Sequence, residues 1–357
     1  MRHDKNTAPV PKTVRRDSAC HLIVSTRHSK RIHSPCAEQY VLQRVERAGY
    51  AESFSTILES VGLRKGHLVL PVFVSEKQGK IDSMPGMAMI PVRELERHVQ
   101  QITDSGISSI ILFGVPSARD ASGISAADED GIVQRAVRAI KSRFGSSVSI
   151  MTDVCVCQYN ASGHCGIVQG GRVENDSTIH LLTEIAASHA EAGADFVAPS
   201  SMMDGQVYAI RTVLDDRRLG TGILSYSAKH ASSLYTPFRA AAFARQNLKI
   251  DKSSYQVSYA NPRQAMREIE ADIREGADMV MIKPALAYLD LIAMAKDQFG
   301  FPLAAQNVSG EYAMIKQAAL RGWIDEEEWK IHSLASIRRA GADRIISYFS
   351  LDVAEYL

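Results

Sequence analysis

The chain predicts a closed (β/α)8 TIM barrel with an extended N-terminal arm, and three observations lead there. Short apolar, β-branched runs recur eight times between residues 67 and 350. Segments with helical spacing of apolar residues separate most of them. Three helices end alike, in Ala192-Gly-Ala-Asp195, Glu275-Gly-Ala-Asp278 and Ala340-Gly-Ala-Asp343, where each glycine suits the left-handed position that closes a helix and a strand follows at once. Strands alternating with helices imply a parallel sheet, and eight of them in this length suggest closure. A doubly wound open sheet is the alternative, but no Gly-x-Gly-x-x-Gly fingerprint follows the first run.

Taken in order, residues 1–34 differ from the rest, with eight Lys or Arg against Asp4 and Asp17 and little periodicity. They read as a flexible or partner-wrapping basic arm. A transit peptide is the other reading, weakened by the acids and the missing amphipathic pattern. Residues 35–357 form the catalytic barrel, with strand runs at 67–73, 108–114, 147–153, 196–200, 222–228, 279–285, 302–308 and 344–350. Between them, Ile179, Leu182, Ile185, Ala186 and Ala190 fall on one helix face after Asp176 and Ser177 as cap residues.

A net charge of +1 gives no electrostatic case for nucleic acid or an anionic membrane. No apolar run approaches the roughly 18 residues of a spanning helix. Five cysteines, three of them within eleven residues, suit metal ligands in a reducing compartment better than a secreted disulfide framework, so the expected location is cytoplasmic. Cys20 and Cys36 stand alone and read as incidental.

The chemistry begins with two lysines that close strand runs, Lys229 after Gly222-Ile-Leu-Ser-Tyr-Ser-Ala and Lys283 after Asp278-Met-Val-Met-Ile. An ammonium in such a run must be paired or lose its proton, and a desolvated amine is a nucleophile toward carbonyls. Cys155, Cys157 and Cys165 fit zinc through three thiolates with an open fourth position. His164 as a fourth ligand would make a closed structural site, and inert thiols are the remaining reading. After Lys229 some fifty residues precede the next strand. Their first part, with Tyr235, Pro237, Phe238, Arg239, Arg245, Lys249 and Lys252, reads as a lid over an anionic substrate, or else as a solvated insertion. Asp153, Ser200, Lys229, Lys283, Ser309 and Tyr348 all lie within or just after strand C-terminal ends, where barrels carry their chemistry.

These pieces together resemble the porphobilinogen synthase, or delta-aminolevulinic acid dehydratase, family. The matching stretches include Ser83-Met-Pro-Gly86, Leu112-Phe-Gly114, residues 153–166, Val197-Ala-Pro-Ser200, Met203-Asp-Gly205, Ser225-Tyr-Ser-Ala-Lys229, Pro237-Phe-Arg239, Tyr255-Gln256, Met281-Ile-Lys283-Pro, Tyr288-Leu-Asp290 and Val308-Ser-Gly-Glu-Tyr-Ala-Met314. The resemblance runs from about residue 35 to the C-terminus. It implies condensation of two 5-aminolevulinate molecules to porphobilinogen with loss of two waters, in haem biosynthesis. Lys283 would form a Schiff base with the propionate-side substrate and Lys229 one with the acetate-side substrate. Cys155, Cys157 and Cys165 match the zinc ligands of the metal-dependent branch, where zinc is a Lewis acid for the second substrate. Ser309 and Tyr348 match the binders of the first carboxylate, and Arg239, Lys252 and Gln256 those of the second. Asp153 would hold an amino group or shuttle protons, and Ser200 is counted with the substrate-binding residues. Glu268 matches an allosteric magnesium position between subunits, and the family forms homo-octamers and hexamers through N-terminal arms.

Several positions depart from the family pattern. Tyr159-Asn-Ala-Ser-Gly-His-Cys-Gly carries Asn160 and Ser162 where Thr and His are usual, and Ala305-Gln-Asn-Val-Ser carries Gln306 where an active-site tyrosine is usual. Arg27-His-Ser-Lys-Arg31 is a degenerate form of the arginine-rich arm motif. The departures admit a paralogue acting on a related amino-keto acid. An inactive oligomeric scaffold is the non-enzyme reading, opposed by the retention of both lysines.

Overall fold

A computed structural model of the chain describes residues 53–243 and 251–357, together with the backbone of Lys30–Arg31 and Val41–Leu42. The chain divides into two compact units, Met1–Glu52 and Ser53–Leu357. Within the first, Lys30–Arg31 pairs antiparallel with Val41–Leu42. Cys20, Cys36, Arg245 and Lys249 lie outside the described residues, as does most of the basic arm.

The second unit is a closed parallel barrel. Its strands are β1 (Leu68–Ser75), β2 (Ser109–Val115), β3 (Ser149–Val154), β4 (Phe196–Pro199), β5 (Gly222–Lys229), β6 (Met279–Lys283), β7 (Leu303–Asn307) and β8 (Arg344–Ser347). Each pairs with the next in chain order, and β8 returns to β1 through Ile345 opposite Leu68 and Ile346 opposite Val69. Covered by helices outside and side chains inside, the strands are nearly continuous apolar runs with few alternating positions. The expected runs at 196, 222, 279 and 344 begin with their strands, those at 67, 108 and 302 begin one residue early and that at 147 two residues early. The last strand stops at Ser347, which puts Tyr348 just beyond it at the barrel mouth.

The helices keep their apolar stripe on the barrel. In α1 (Val92–Asp104) the buried residues are Leu95, Val99 and Ile102, the spacing of one helical face. Then come α2 (Ile132–Phe144), α3 (Asn175–Glu191), α4 (Gln206–Asp216), α5 (Pro262–Arg274), α6 (Leu289–Phe299), α7 (Ser309–Leu320) and α8 (Glu326–Arg339). Asp176 and Ser177 fall inside the first turn of α3, whose N-cap is Glu174, so this helix starts before its expected cap.

The repeated Gly-Ala-Asp motif proves architectural. Gly193, Gly276 and Gly341 have φ of +106°, +101° and +115°, a region open to glycine. Each following aspartate then accepts from the first amides of the preceding strand. Asp195 takes Ile150 N at 2.6 Å, Asp278 takes Ile223 N at 2.7 Å and Asp343 takes Leu303 N at 3.0 Å. Lys141, Arg211 and Lys296 complete the three carboxylates at 2.6, 2.5 and 2.7 Å. This ring of ties sits at the strand N-terminal ends, away from the chemistry.

Candidate active site

Lys229 and Lys283 end adjacent strands in direct register, so their side chains leave the same rim of the barrel a strand spacing apart. Each is 7% exposed. Lys229 Nζ donates to the carbonyl of Ser200 at the end of β4, so it is the main chain of Ser200 that touches the lysine. Lys283 Nζ lies 5.0 Å from the ring centre of Tyr226, 5.3 Å from Tyr235 and 5.8 Å from Phe238. This aromatic box excludes water, and burial together with the charge of Lys229 brings the Lys283 amine down to about 7 against the opposing pull of Asp153. An amine so placed is substantially unprotonated at neutral pH, the state that attacks a carbonyl.

The carbonyl of Lys283 anchors the rim. It accepts from His230 N at 2.9 Å and from Tyr235 Oη at 3.1 Å, while the His230 ring stacks on Tyr288 with centres 3.7 Å apart. Asp153, on β3, is buried and accepts from Gln158 Nε2 at 2.9 Å.

Beyond β3 the chain turns through the thiol cluster. Cys155, Cys157 and Cys165 are buried, unbridged, and have all sulfurs within 4.8 Å of one another. Gly163, at φ +67°, makes the turn that brings Cys165 back. Asn160 holds that turn: its amide donates to His164 O at 2.9 Å and its Oδ1 accepts from Gly163 N at 2.6 Å and Ser162 Oγ at 3.0 Å. Ser162 Oγ in turn accepts from His164 N at 3.1 Å. Both departures from the usual motif thus serve the loop that presents the sulfurs. His164 faces Tyr255 Oη at 3.2 Å and is outside the thiol group, which favours the open three-cysteine reading over a closed site.

The donor set fits zinc. Tetrahedral zinc with Zn–S bonds near 2.3 Å holds its sulfurs about 3.8 Å apart; here the Cys155 and Cys157 sulfurs are 3.2 Å apart and all three lie within 4.8 Å. Lys252 Nζ lies 3.2 Å from Cys165 Sγ. Hydrogen bonds from the other two thiols, assisted by Lys252, hold Cys165 well below the ordinary thiol range despite burial, whereas burial pushes Cys155 up to about 11. The cluster therefore keeps anionic sulfur facing a cation.

The remaining expected residues fall into two groups. Ser309, at the start of α7, accepts from Phe238 N at 3.1 Å and donates to Leu234 O at 3.2 Å, fastening the segment after β5 over the mouth. Tyr348 stacks on Phe73 with ring centres 6.1 Å apart, and Arg239 lies over Tyr235 at 5.7 Å. Gln256 and Gln306, the latter on β7, are buried, and the Oε1 of each has no hydrogen-bond partner among the described residues. Glu268 lies on α5, outside β5, in a cavity of about 670 Å3 that it lines with Asp204, Gln264 and Asp272 and that Gln256, Tyr255 and His164 also border. Burial, then Asp204, raise its carboxyl above the usual range.

Reasoning from sequence missed Tyr226, Gln158 and Arg119. Tyr226 comes three residues before Lys229, and strict alternation assigns those two to opposite faces. Arg119 donates to Ala242 O at the end of the helix Thr236–Phe243, and nothing in its local sequence marks it.

Fold and site together define a (β/α)8-barrel enzyme equipped for carbonyl chemistry, with paired rim lysines beside a thiol cluster able to hold a metal. The chain belongs to the delta-aminolevulinic acid dehydratase family, whose profile matches residues 42–356. It is 50% identical over 296 residues to the delta-aminolevulinic acid dehydratase of Archaeoglobus fulgidus, covering 82% of this chain and 91% of that one. It is 45% identical to the enzyme of the same name from Escherichia coli K12, over 88% of this chain and 98% of the relative. The crystal structure of the Toxoplasma gondii ME49 enzyme with its reaction product porphobilinogen matches with a TM-score of 0.81 at 36% identity, over 89% of this chain and 93% of that one.

Proposed function

We infer that the chain is a porphobilinogen synthase, a hydro-lyase that joins two 5-aminolevulinate molecules and releases two waters, in tetrapyrrole (haem) biosynthesis. The observation that carries this reading is the register pairing of Lys229 with Lys283 at the barrel rim, with the Lys283 amine brought to about 7 by its dry surroundings. Lys283 attacks the ketone of the first substrate, and loss of water leaves an imine. Lys229, one strand away, does the same for the second, so both carbonyl carbons are activated within one cavity. Ser309 and Tyr348 take the first carboxylate, while Arg239, Lys252 and Gln256 take the second. Fixing two flexible keto acids this way replaces a bimolecular encounter. Asp153, held by Gln158, binds the first amino group or moves its proton, and Ser200 contributes to the same wall.

Cys155, Cys157 and Cys165 hold zinc in this reading, and the bound metal supplies Lewis acidity toward the second substrate. Glu268 is assigned to a magnesium ion outside the site. A homo-oligomer, octamer or hexamer, and a cytoplasmic location complete the proposal; no helix among the described residues is long and apolar enough to cross a membrane. The test is incubation of reduced, zinc-loaded protein with 5-aminolevulinate and mass analysis of the product. A pyrrole with the mass of two substrates less two waters is expected, and unreacted substrate would overturn the assignment.

A further inference from the structure

Strand β5 carries one more residue than its partner between two paired positions. Ser225 faces Val280 and Ala228 faces Ile282, so three steps on β5 match two on β6. Such a bulge breaks the two-residue alternation of faces. Its consequence is visible in the site: Tyr226 and Lys229, three residues apart, both reach the interior, where the Tyr226 ring lies 5.7 Å from Lys229 Nζ and 5.0 Å from Lys283 Nζ. Ser227 is left on the other side, where it lines the outer cavity with Asp272.

Asp272, partly buried, continues the stripe of the buried Ala265 and Ile269 on α5 at helical spacing. A carboxylate there interrupts an otherwise apolar face packed on β5. It accepts from Ser225 Oγ at 2.6 Å, while the Ser227 hydroxyl donates to the Ser225 carbonyl at 3.4 Å and lies near enough to favour the ionised carboxylate. Burial pushes Asp272 up to about 6, and the two hydroxyls oppose that rise.

We propose that Asp272 is a positioning residue that clamps the β5 bulge at Ser225, whose carbonyl takes the Ser227 hydroxyl, and so holds Tyr226 beneath both reactive lysines. The carboxylate touches neither lysine. One carboxylate oxygen fixes Ser225, Ser227 bonds back to the Ser225 main chain, and these two serines flank Tyr226, whose ring supplies one wall of the box that keeps Lys283 dry. Besides Tyr226, the groups acting on the Lys283 amine are Lys229, Asp153, Cys157 and Cys165, with Tyr235 and Phe238 as the other walls.

The inference rests on imine formation at Lys283, so wild-type protein is first reduced with borohydride in the presence of 5-aminolevulinate, and an adduct at Lys283 is the precondition. Failure there strikes the functional reading; a normal wild-type adduct lets the variants judge the clamp alone. Asp272→Ala, and separately the double variant Ser225→Ala/Ser227→Ala, are expected to lower kcat about 10- to 100-fold, the scale of an ångström misplacement, with KM changed far less. In both, the acid limb of the kcat/KM pH profile moves upward by about one pH unit or more, because water admitted at Tyr226 raises the amine toward its ordinary value. Asp272→Asn keeps one acceptor oxygen, and a hydroxyl can turn to meet its amide, so it restores most of the rate and the wild-type limb. Should Asp272→Ala fail to fold, the serine pair carries the same test. An acid limb left in its wild-type position in whichever of these variants folds would overturn the clamp.

Discussion

Lys283 and Lys252 are nearly equally buried, at 7% and 5% exposure, yet their amines are driven in opposite directions. Burial acts against the charged form of both. At Lys283 the charge of Lys229 reinforces burial, and the neighbours are three aromatic rings. At Lys252 burial is outweighed by Cys165, Cys157 and Cys155, so its amine rises above the ordinary value. In the proposed reaction one lysine would thereby be the nucleophile and the other a fixed cation. Charge partners, and not depth, separate the two roles.

The largest expected effect tests the nucleophile. Lys283→Met should lower kcat by about four to six orders of magnitude, the scale seen when a covalent nucleophile is lost, while circular dichroism shows the barrel folded. Retained turnover would remove Lys283 from the chemistry. Next comes the anionic partner of Lys252. Cys157→Ala, or a strong chelator, should abolish measurable turnover, and elemental analysis should find zinc lost from the variant; full activity in metal-free protein would separate the thiols from the reaction.

The cation itself gives a smaller change. Lys252→Met should raise KM about 10- to 100-fold with a lesser effect on kcat, since a charge-assisted hydrogen bond contributes about 1.5–3 kcal/mol. Equal loss in kcat with constant KM would place Lys252 in the chemical step and collapse the contrast with Lys283.

The pH dependence sharpens the same contrast. With its amine near 7, Lys283 is protonated below that value, so kcat/KM should fall about tenfold per unit as pH drops below about 7. The linkage sign is the reverse of a salt-bridged lysine. Between about 7 and the unfolded value near 10.5 the unfolded chain binds the extra proton, so this group contributes stability that grows with pH across that window. Lys283→Met should flatten that rise in a series of urea melts. The smallest effect belongs to Gln306→Tyr. Gln306 has a buried oxygen without a hydrogen-bond partner among the described residues, and a tyrosine restoring the usual pocket wall should change kcat/KM for 5-aminolevulinate upward by about two- to tenfold. No change would make that departure neutral.

The architecture was legible from local signals. Parallel barrel strands are buried on both faces, so they read as apolar runs, and the glycine closing each Gly-Ala-Asp helix has a steric reason that needs no distant partner. Lys229 and Lys283 stood out because charges in apolar runs demand an explanation, and the three cysteines because their spacing is short. Other features were decided by tertiary structure alone. The bulge that turns Tyr226 inward depends on how β5 registers against β6, and its clamp on a carboxylate forty-seven positions along the chain from Ser225. Whether His164 joins the thiols turns on the fold, which sets its Nδ1 3.2 Å from Tyr255 Oη, ninety-one positions away. By composition Lys252 is one cation among several after Lys229, and the family resemblance marks it as a carboxylate binder; its place 3.2 Å from Cys165 Sγ comes only from the fold. Sequence alone determines which groups can be buried, because burial follows from composition and periodicity. Their partners set what each buried group does, and partners are brought together only when the barrel closes.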